Sequence, residues 1–205
     1  MYRYFLKRVI DCVVALLALV LLGPFMLVIA ASIKLGSQGP VLYKGPRVGM
    51  LGRMFPMLKF RTMIVGADAK GPSSTASDDS RITGIGKWLR RLKLDELPQL
   101  INVLVGHMSL VGPRPQVKWA VDSYSDEERR LLTVRPGVTD WASLRFSNEG
   151  ELLKGSLDPD RDYMVKIHPE KVALGLRYVD SVSFATDVRI VLQTAAAVLG
   201  VRSTE

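Results

Sequence analysis

Asp95 and Glu96 stand side by side in the stretch LKLDELPQL (residues 92–100), just ahead of Pro98 and an apolar run. Read locally, Asp95 is the N-cap of a helix over residues 96–105. Pro98 falls in its first turn, and Leu97, Leu100, Ile101 and Leu104 share one face. The same position suits chemistry, because a helix N-terminus favours anions and keeps a carboxylate ionised beside a bound phosphate. An ionised aspartate next to phosphorus is the starting point for an aspartyl-phosphate intermediate. The cations needed to hold such a phosphate are present. Arg90, with Lys87, Arg91 and Lys93, forms the polar face of a helix whose apolar side is Ile85, Trp88, Leu89 and Leu92. Arg114 is bracketed by Pro113 and Pro115, which stiffen the backbone presenting a planar, bidentate guanidinium. Alternation in MFPMLKFRTM puts Lys59 and Arg61 on one strand face, either as solvated residues or as a phosphate clamp.

The elements that must carry these residues belong to a chain of 205 residues, enough for one domain with a core plus an anchoring segment. Lys and Arg number 28 against 20 Asp and Glu, a balance suited to phosphate-rich partners such as nucleotides, nucleic acid or anionic lipid. The single cysteine, Cys12, excludes an internal disulfide. Two histidines, His107 and His168, without a Cys/His cluster make a zinc site improbable, and His168 reads as an ordinary surface residue.

Between Cys12 and Ile33 no residue is charged, which is long enough for a helix to cross a hydrocarbon core of ~30 Å. A secretory signal is a poor match in length and in its Asp11 and Pro24. Gly23-Pro24 lies at the middle of the run, and both flanks are basic: Lys7 and Arg8 before, Lys34, Lys44 and Arg47 after. A single straight span cannot put both flanks on the cytoplasmic side, whereas a helix–break–helix hairpin over residues 1–35 can. A Pro-kinked span is the other reading that the residues allow.

Residues 36–205 read as one catalytic domain, α+β in class: mainly helical and cytoplasmic, with short β-strands and membrane-associated amphipathic helices. Residues 66–84, rich in Ser, Gly and Asp, are expected to be a mobile loop. Ser125 and Glu128 form a capping box. Pro136 and Gly137 are expected at the centre of a tight turn. The last helix, about Thr186–Leu199, carries Val188, Val191, Leu192, Ala195 and Leu199 on one face, to pack on the core or lie on a membrane.

The segments FLKRVIDCVVALLALVLLGP, KFRTM, DDSRITGIGKWLRRLKLDELPQLINVL, GHMSLVGPRP, VRPGVTDWA and SFATDVRIVLQT occur in that order over nearly the whole chain. In them the sequence resembles the small monotopic phosphoglycosyl transferases of the bacterial sugar transferase family. The resemblance implies an enzyme of the inner-membrane cytoplasmic face that moves a sugar phosphate from a UDP-sugar to polyprenyl (undecaprenyl) phosphate, releasing UMP and initiating a surface glycan. It implies Asp95 as the nucleophile of a phosphosugar–aspartyl intermediate. Glu96, with Asp95, would position Mg2+, and Arg90 and Arg114 between Pro113 and Pro115 would hold phosphates. Lys59 or Arg61 would line the nucleotide side. Lys7 and Arg8 would sit at headgroup level, and Gly23-Pro24 would shape the re-entrant helix. The implied partners are UDP-sugar, polyprenyl phosphate and membrane lipid, with no nucleic acid and with a homodimer as the assembly to consider. Two departures stand out. Gly23 replaces the serine that relatives often place before the proline, and SLRFSNEGELL replaces a QVNGRN-type continuation, so the sugar is left open. The competing reading is a membrane-tethered basic protein without catalysis that binds nucleic acid or anionic lipid.

Overall fold

The computed structural model describes residues 2–198, so Leu199 of the last helix lies outside the described residues. Lys7–Gly36 form α1, a single helix of 30 residues. The expected helix–break–helix is not what forms: the helix runs through Gly23 and Pro24 without interruption. Proline here removes one backbone hydrogen bond, which a helix of this length tolerates.

One side of α1 belongs to the core. Ala15 packs with Phe55, Met57, Leu100, Val103 and Met108, and two turns past the proline Ile29 and Ile33 pack with Phe60 and Leu89. The opposite side exposes Leu17, Val20, Leu21, Leu27 and Val28. Polar ties reinforce the packed side. Asp11, buried, accepts from Ser109 Oγ at 2.7 Å and from the Leu110 backbone N–H at 3.2 Å. Lys7 donates to Asp187 at 2.6 Å, and Arg8 donates to the carbonyls of Val103 and Leu104.

β1 (Leu42–Val48) and β2 (Met54–Phe60) form an antiparallel hairpin in which Tyr43 faces Lys59 and Arg47 faces Phe55. α2 (Gly84–Arg91) starts at Thr83, whose hydroxyl accepts from the Gly86 N–H at 3.1 Å. Its Leu89 is fully buried, but Trp88 and Leu92, expected beside it on the buried face, are 48% and 42% exposed. α3 (Gln99–Leu104) is shorter than the helix expected over residues 96–105.

β3 (Ser109–Val111) and β4 (Gly137–Thr139) pair in parallel. Gly137 therefore opens a strand, not the centre of a tight turn. A Cβ there would lie 2.1 Å from the Gly112 backbone nitrogen, so the two glycines allow the strands to touch. The Gly137 N–H also donates to the Pro113 carbonyl at 3.0 Å, fixing the start of the segment that carries Arg114.

The remaining helices are α4 (Lys118–Asp122), α5 (Trp141–Arg145), α6 (Glu149–Leu152), α7 (Pro159–Lys166), α8 (His168–Asp180) and α9 (Phe184–Val198). Ser125 and Glu128 do form the reciprocal capping pair, on a 3-10 turn over Glu128–Thr133. In α9 the buried residues are Asp187 and Ile190, while Val188, Val191 and Leu192 point outward. Residues 66–84 have little regular structure but are pinned in place. Arg81 binds Asp79 and the Ala67 and Pro72 carbonyls, and Asp160 accepts from the Ser73 and Ser74 N–H groups. Together these elements make the α+β, mostly helical fold that the composition implied.

Gly137→Ala should lower stability by about 2–3 kcal/mol, because backbone must move to admit the methyl group. Thermal unfolding of the detergent-solubilised protein measures this, and an unchanged midpoint would refute the tight strand contact.

Candidate active site

The chain leaves α2 at Leu92, and Lys93 adopts left-handed backbone (φ 57°, ψ 17°) that redirects it. Leu94–Glu96 then form a single 3-10 turn ahead of α3. Asp95 sits inside this turn. No helix N–H bonds to its side chain, and the cap position of α3 is Pro98, so Asp95 is not the N-cap that local sequence suggested. The physical reason is the turn itself, which ends the first helical stretch before α3 begins.

Asp95 is buried, at 6% exposure. Among the described residues its only ion-pair partner is Lys59, with Nζ 3.9 Å from Oδ2. Burial pushes its pKa above the ordinary aspartate value; Lys59 opposes the shift, Glu96 adds to it, and Arg90 and Arg114 oppose it more weakly. Glu96 next to it is fully engaged. It accepts from Lys59 Nζ at 2.9 Å, and Arg114 grips it in a bidentate pair with Nη1–Oε2 at 3.0 Å. Burial alone would raise the Glu96 pKa, but Arg114 and Lys59 hold it well below the usual carboxylate range. Two adjacent carboxylates thus meet opposite environments, one saturated with cations and one nearly unbonded.

Arg114 is fixed from behind as well as in front. Its backbone N–H donates to Asp140 at 3.2 Å, and Asp140 caps α5 by accepting from the Ser143 N–H at 2.7 Å. Pro113 and Pro115 flank it and line the hollow beside it. Arg90 donates through Nε to Thr62 Oγ1 at 2.8 Å; burial lowers its pKa, and Asp95 is the charge that most opposes this. The structure therefore brings Lys59, Arg90, Asp95, Glu96 and Arg114 together.

Of the expected phosphate-binding cations, Arg61 is placed elsewhere. Arg61 follows the end of β2, and its side chain, buried, binds the Ser37 and Gln38 carbonyls at the end of α1. Alternation stops at the end of the strand, so Lys59 alone reaches the carboxylates. Lys7 and Arg8 turn toward Asp187 and the end of α3. A carboxylate and two helix-terminal carbonyls hold them there. His168, read as a surface residue, is buried between the rings of Tyr124 and Tyr163, at centroid distances of 5.9 and 6.1 Å.

Arg47 was not singled out by sequence. It lies on the inward face of β1 with Tyr43, and Gly45 between them leaves room for their contact: a Cβ there would meet Tyr43 Cε1 at 2.8 Å. Arg47 has no carboxylate within ion-pair distance among the described residues, and Tyr43, Arg114 and Asp68 are the charged or polar groups that most influence it. The readable signal was the alternation Tyr43, Gly45, Arg47 itself.

Among the described residues no group of three or more His, Cys, Asp or Glu could enclose a metal ion. Glu96 spends both oxygens on Arg114 and Lys59, which leaves Asp95 as the carboxylate open to Mg2+, an ion that takes one or two protein carboxylates and completes its shell with substrate phosphates and water.

A long apolar helix with one exposed side stands beside a buried carboxylate pair that Lys59, Arg90 and Arg114 surround, the architecture of a membrane-associated protein with a cation-rich site. The sequence profile of the bacterial sugar transferases matches residues 2–201. The chain belongs to that family. It is 39% identical over 199 residues to an undecaprenyl-phosphate glucose phosphotransferase of Komagataeibacter xylinus, covering 92% of this chain and 35% of that protein. It is 36% identical to a UDP-N-acetylgalactosamine-undecaprenyl-phosphate N-acetylgalactosaminephosphotransferase of Aeromonas hydrophila, covering 95% and 44%. An exopolysaccharide production protein of Rhizobium leguminosarum bv. phaseoli matches at 38% identity over 95% of both chains. The chain thus spans less than half of the first two relatives and nearly all of the third.

Removing the Arg114 fork should destabilise the site. Arg114→Met leaves Glu96 with Lys59 alone and should cost about 3–5 kcal/mol, whereas Arg114→Lys keeps the charge and should cost less. Unfolding midpoints of both variants decide this; an Arg114→Lys midpoint equal to that of the wild type would show that the fork's geometry contributes nothing.

Proposed function

We propose that this protein transfers a sugar phosphate from a UDP-sugar to polyprenyl phosphate through a covalent intermediate on Asp95. The observation that carries the reading is the contrast between the two carboxylates. Glu96 is held by Arg114 and Lys59, while Asp95 accepts no hydrogen bond among the described residues and has its lone pairs free. A protein that only bound phosphates would have no use for a buried, under-bonded carboxylate in a cationic cleft.

In the first step an Asp95 carboxylate oxygen attacks the phosphorus that bears the sugar. The anhydride bond breaks, and UMP departs with the electron pair. In the second, an oxygen of polyprenyl phosphate attacks the same phosphorus and the bond to Asp95 breaks, restoring the carboxylate. One phosphoanhydride replaces another, so no external energy source is needed. Lys59, Arg90 and Arg114 lower the repulsion between an incoming anion and a diphosphate. Mg2+ held at Asp95 and the substrate phosphates would supply further neutralisation of that charge.

The membrane geometry supports a substrate that arrives from lipid. A helix of 30 residues is about 45 Å long, against a hydrocarbon core of ~30 Å. Yet the domain grips α1 from Arg8, through Ala15 and Ile29, to Ser37. A straight crossing would drag that domain into the bilayer. We therefore read α1 as re-entrant, dipping its outward apolar side into one leaflet with both ends on the cytoplasmic face. The exposed Trp88, Leu92, Phe184 and Leu192 extend the apolar surface. The residues after Trp141 depart from the familiar pattern, so the sugar has to be found with a panel of UDP-sugars.

Asp95→Asn should abolish both UMP release and the covalent phosphosugar adduct, with stability nearly unchanged, since it removes a charge that burial already disfavours. Substantial turnover by this variant would refute the nucleophile. Chelation of divalent ions should stop the wild-type reaction, and activity persisting in EDTA would remove the metal from the scheme. For topology, cysteines replacing Phe5 and Gln38 in a Cys12→Ser background should label from the same side of intact spheroplasts' membrane. Labelling from opposite sides would restore a spanning helix.

A further inference from the structure

Gln99 is the most anomalous residue near the site. Its side chain is 0% exposed, yet neither Oε1 nor Nε2 has a hydrogen-bond partner among the described residues. A buried amide left in this state costs stability, and native proteins seldom retain one without a use for it. Its neighbour on the same helix shows the ordinary outcome. Asn102, three residues on and also buried, accepts from the Leu58 N–H and donates to the Pro56 carbonyl, both at 2.8 Å.

The position of Gln99 suggests the use. It follows Asp95 by four residues and Glu96 by three along backbone that stays right-handed helical: Leu97 has φ −52°, ψ −37° and Pro98 has φ −61°, ψ −15°. Residues at these spacings stand one above another, and helical side chains lean toward the N-terminus. The 3-10 turn that carries the two carboxylates is therefore the one that a Gln99 side chain of ordinary helical rotamer approaches. Glu96 has its partners in Arg114 and Lys59; Asp95 has no hydrogen bond among the described residues.

We propose that Gln99 is a positioning residue for the nucleophile. Its Nε2 donates to the Asp95 carboxylate oxygen that does not attack, and so fixes the rotamer that aims the other oxygen at phosphorus. The inference rests on the assignment of Asp95 as nucleophile. It requires only a side-chain adjustment of Gln99 and Asp95 when the substrate enters. The amide stays unsatisfied in the resting state, and the protein accepts that cost for geometry at the moment of attack.

The test is a set of full-length variants, Gln99→Leu, Gln99→Met and Gln99→Glu, measured in detergent with UDP-glucose and undecaprenyl phosphate, and with other UDP-sugars if UDP-glucose is not used. Gln99→Leu and Gln99→Met should unfold at or above the wild-type midpoint, because they remove an unpaired buried amide. Their kcat should fall about tenfold or more, with KM for the UDP-sugar within about twofold of wild type, and less phosphosugar–aspartyl adduct should form in a single turnover. Gln99→Glu keeps the shape and loses the donor, so it should be equally slow. A residue that only packs, or that is satisfied by a trapped water, gives the opposite result: lower midpoints with kcat intact. Either a lowered midpoint in both apolar variants or wild-type kcat in any of the three overturns the proposal. Should the wild type convert no UDP-sugar, the reaction class is at fault, and the unfolding midpoints still decide whether the amide is a cost to the fold.

Discussion

The Glu96 carboxylate is the constraint on which the site depends. It draws Lys59 from β2 and Arg114 from the segment after β3 onto one turn, joining parts of the chain that lie far apart in sequence. Without an anion at that point the cations would repel one another. With it, they are held on one side of the turn. Asp95 is then left as the carboxylate that the local cations do not satisfy. Division of labour between two neighbouring acidic residues follows from which of them the arginine fork reaches.

Behind this clasp stands the helix that looks like a membrane segment. α1 supplies Ala15, Ile29 and Ile33 to two apolar clusters, and Asp11 bonds directly to the strand that leads into Arg114. Arg8 occupies the C-terminal end of α3, where a cation suits the exposed carbonyls. The apolar segment thus contributes to the domain's interior along one side while its other side stays exposed.

How far the sequence could be read depended on the kind of cue. Asp95, Glu96 and Arg114 were legible because adjacent carboxylates and a proline-bracketed arginine are rare and stiff. Lys59 was legible from strand alternation, and α2 from its apolar spacing. Charged residues whose partners lie far away were not legible. Nothing local tells that Arg61 turns to the end of α1, or that Lys7 finds Asp187 in α9. Burial of small polar residues failed for the same reason: His168 and Gln99 look unremarkable in the string and are enclosed only by tertiary packing. The proline in α1 was over-read as a break, since it removes one hydrogen bond and an otherwise strongly apolar helix continues through it.

The packing of α1 also bears on how the protein comes to be folded. Ribosomes deliver the apolar helix before any of the segments that cover it. It has access to lipid while Phe60, Leu89 and Val103, its later neighbours, are still unmade. On the proposed function, the rest of the chain condenses onto a helix already resting in the bilayer. Folding is then templated by the membrane, and the order of synthesis brings the two carboxylates to the surface where a polyprenyl phosphate is found.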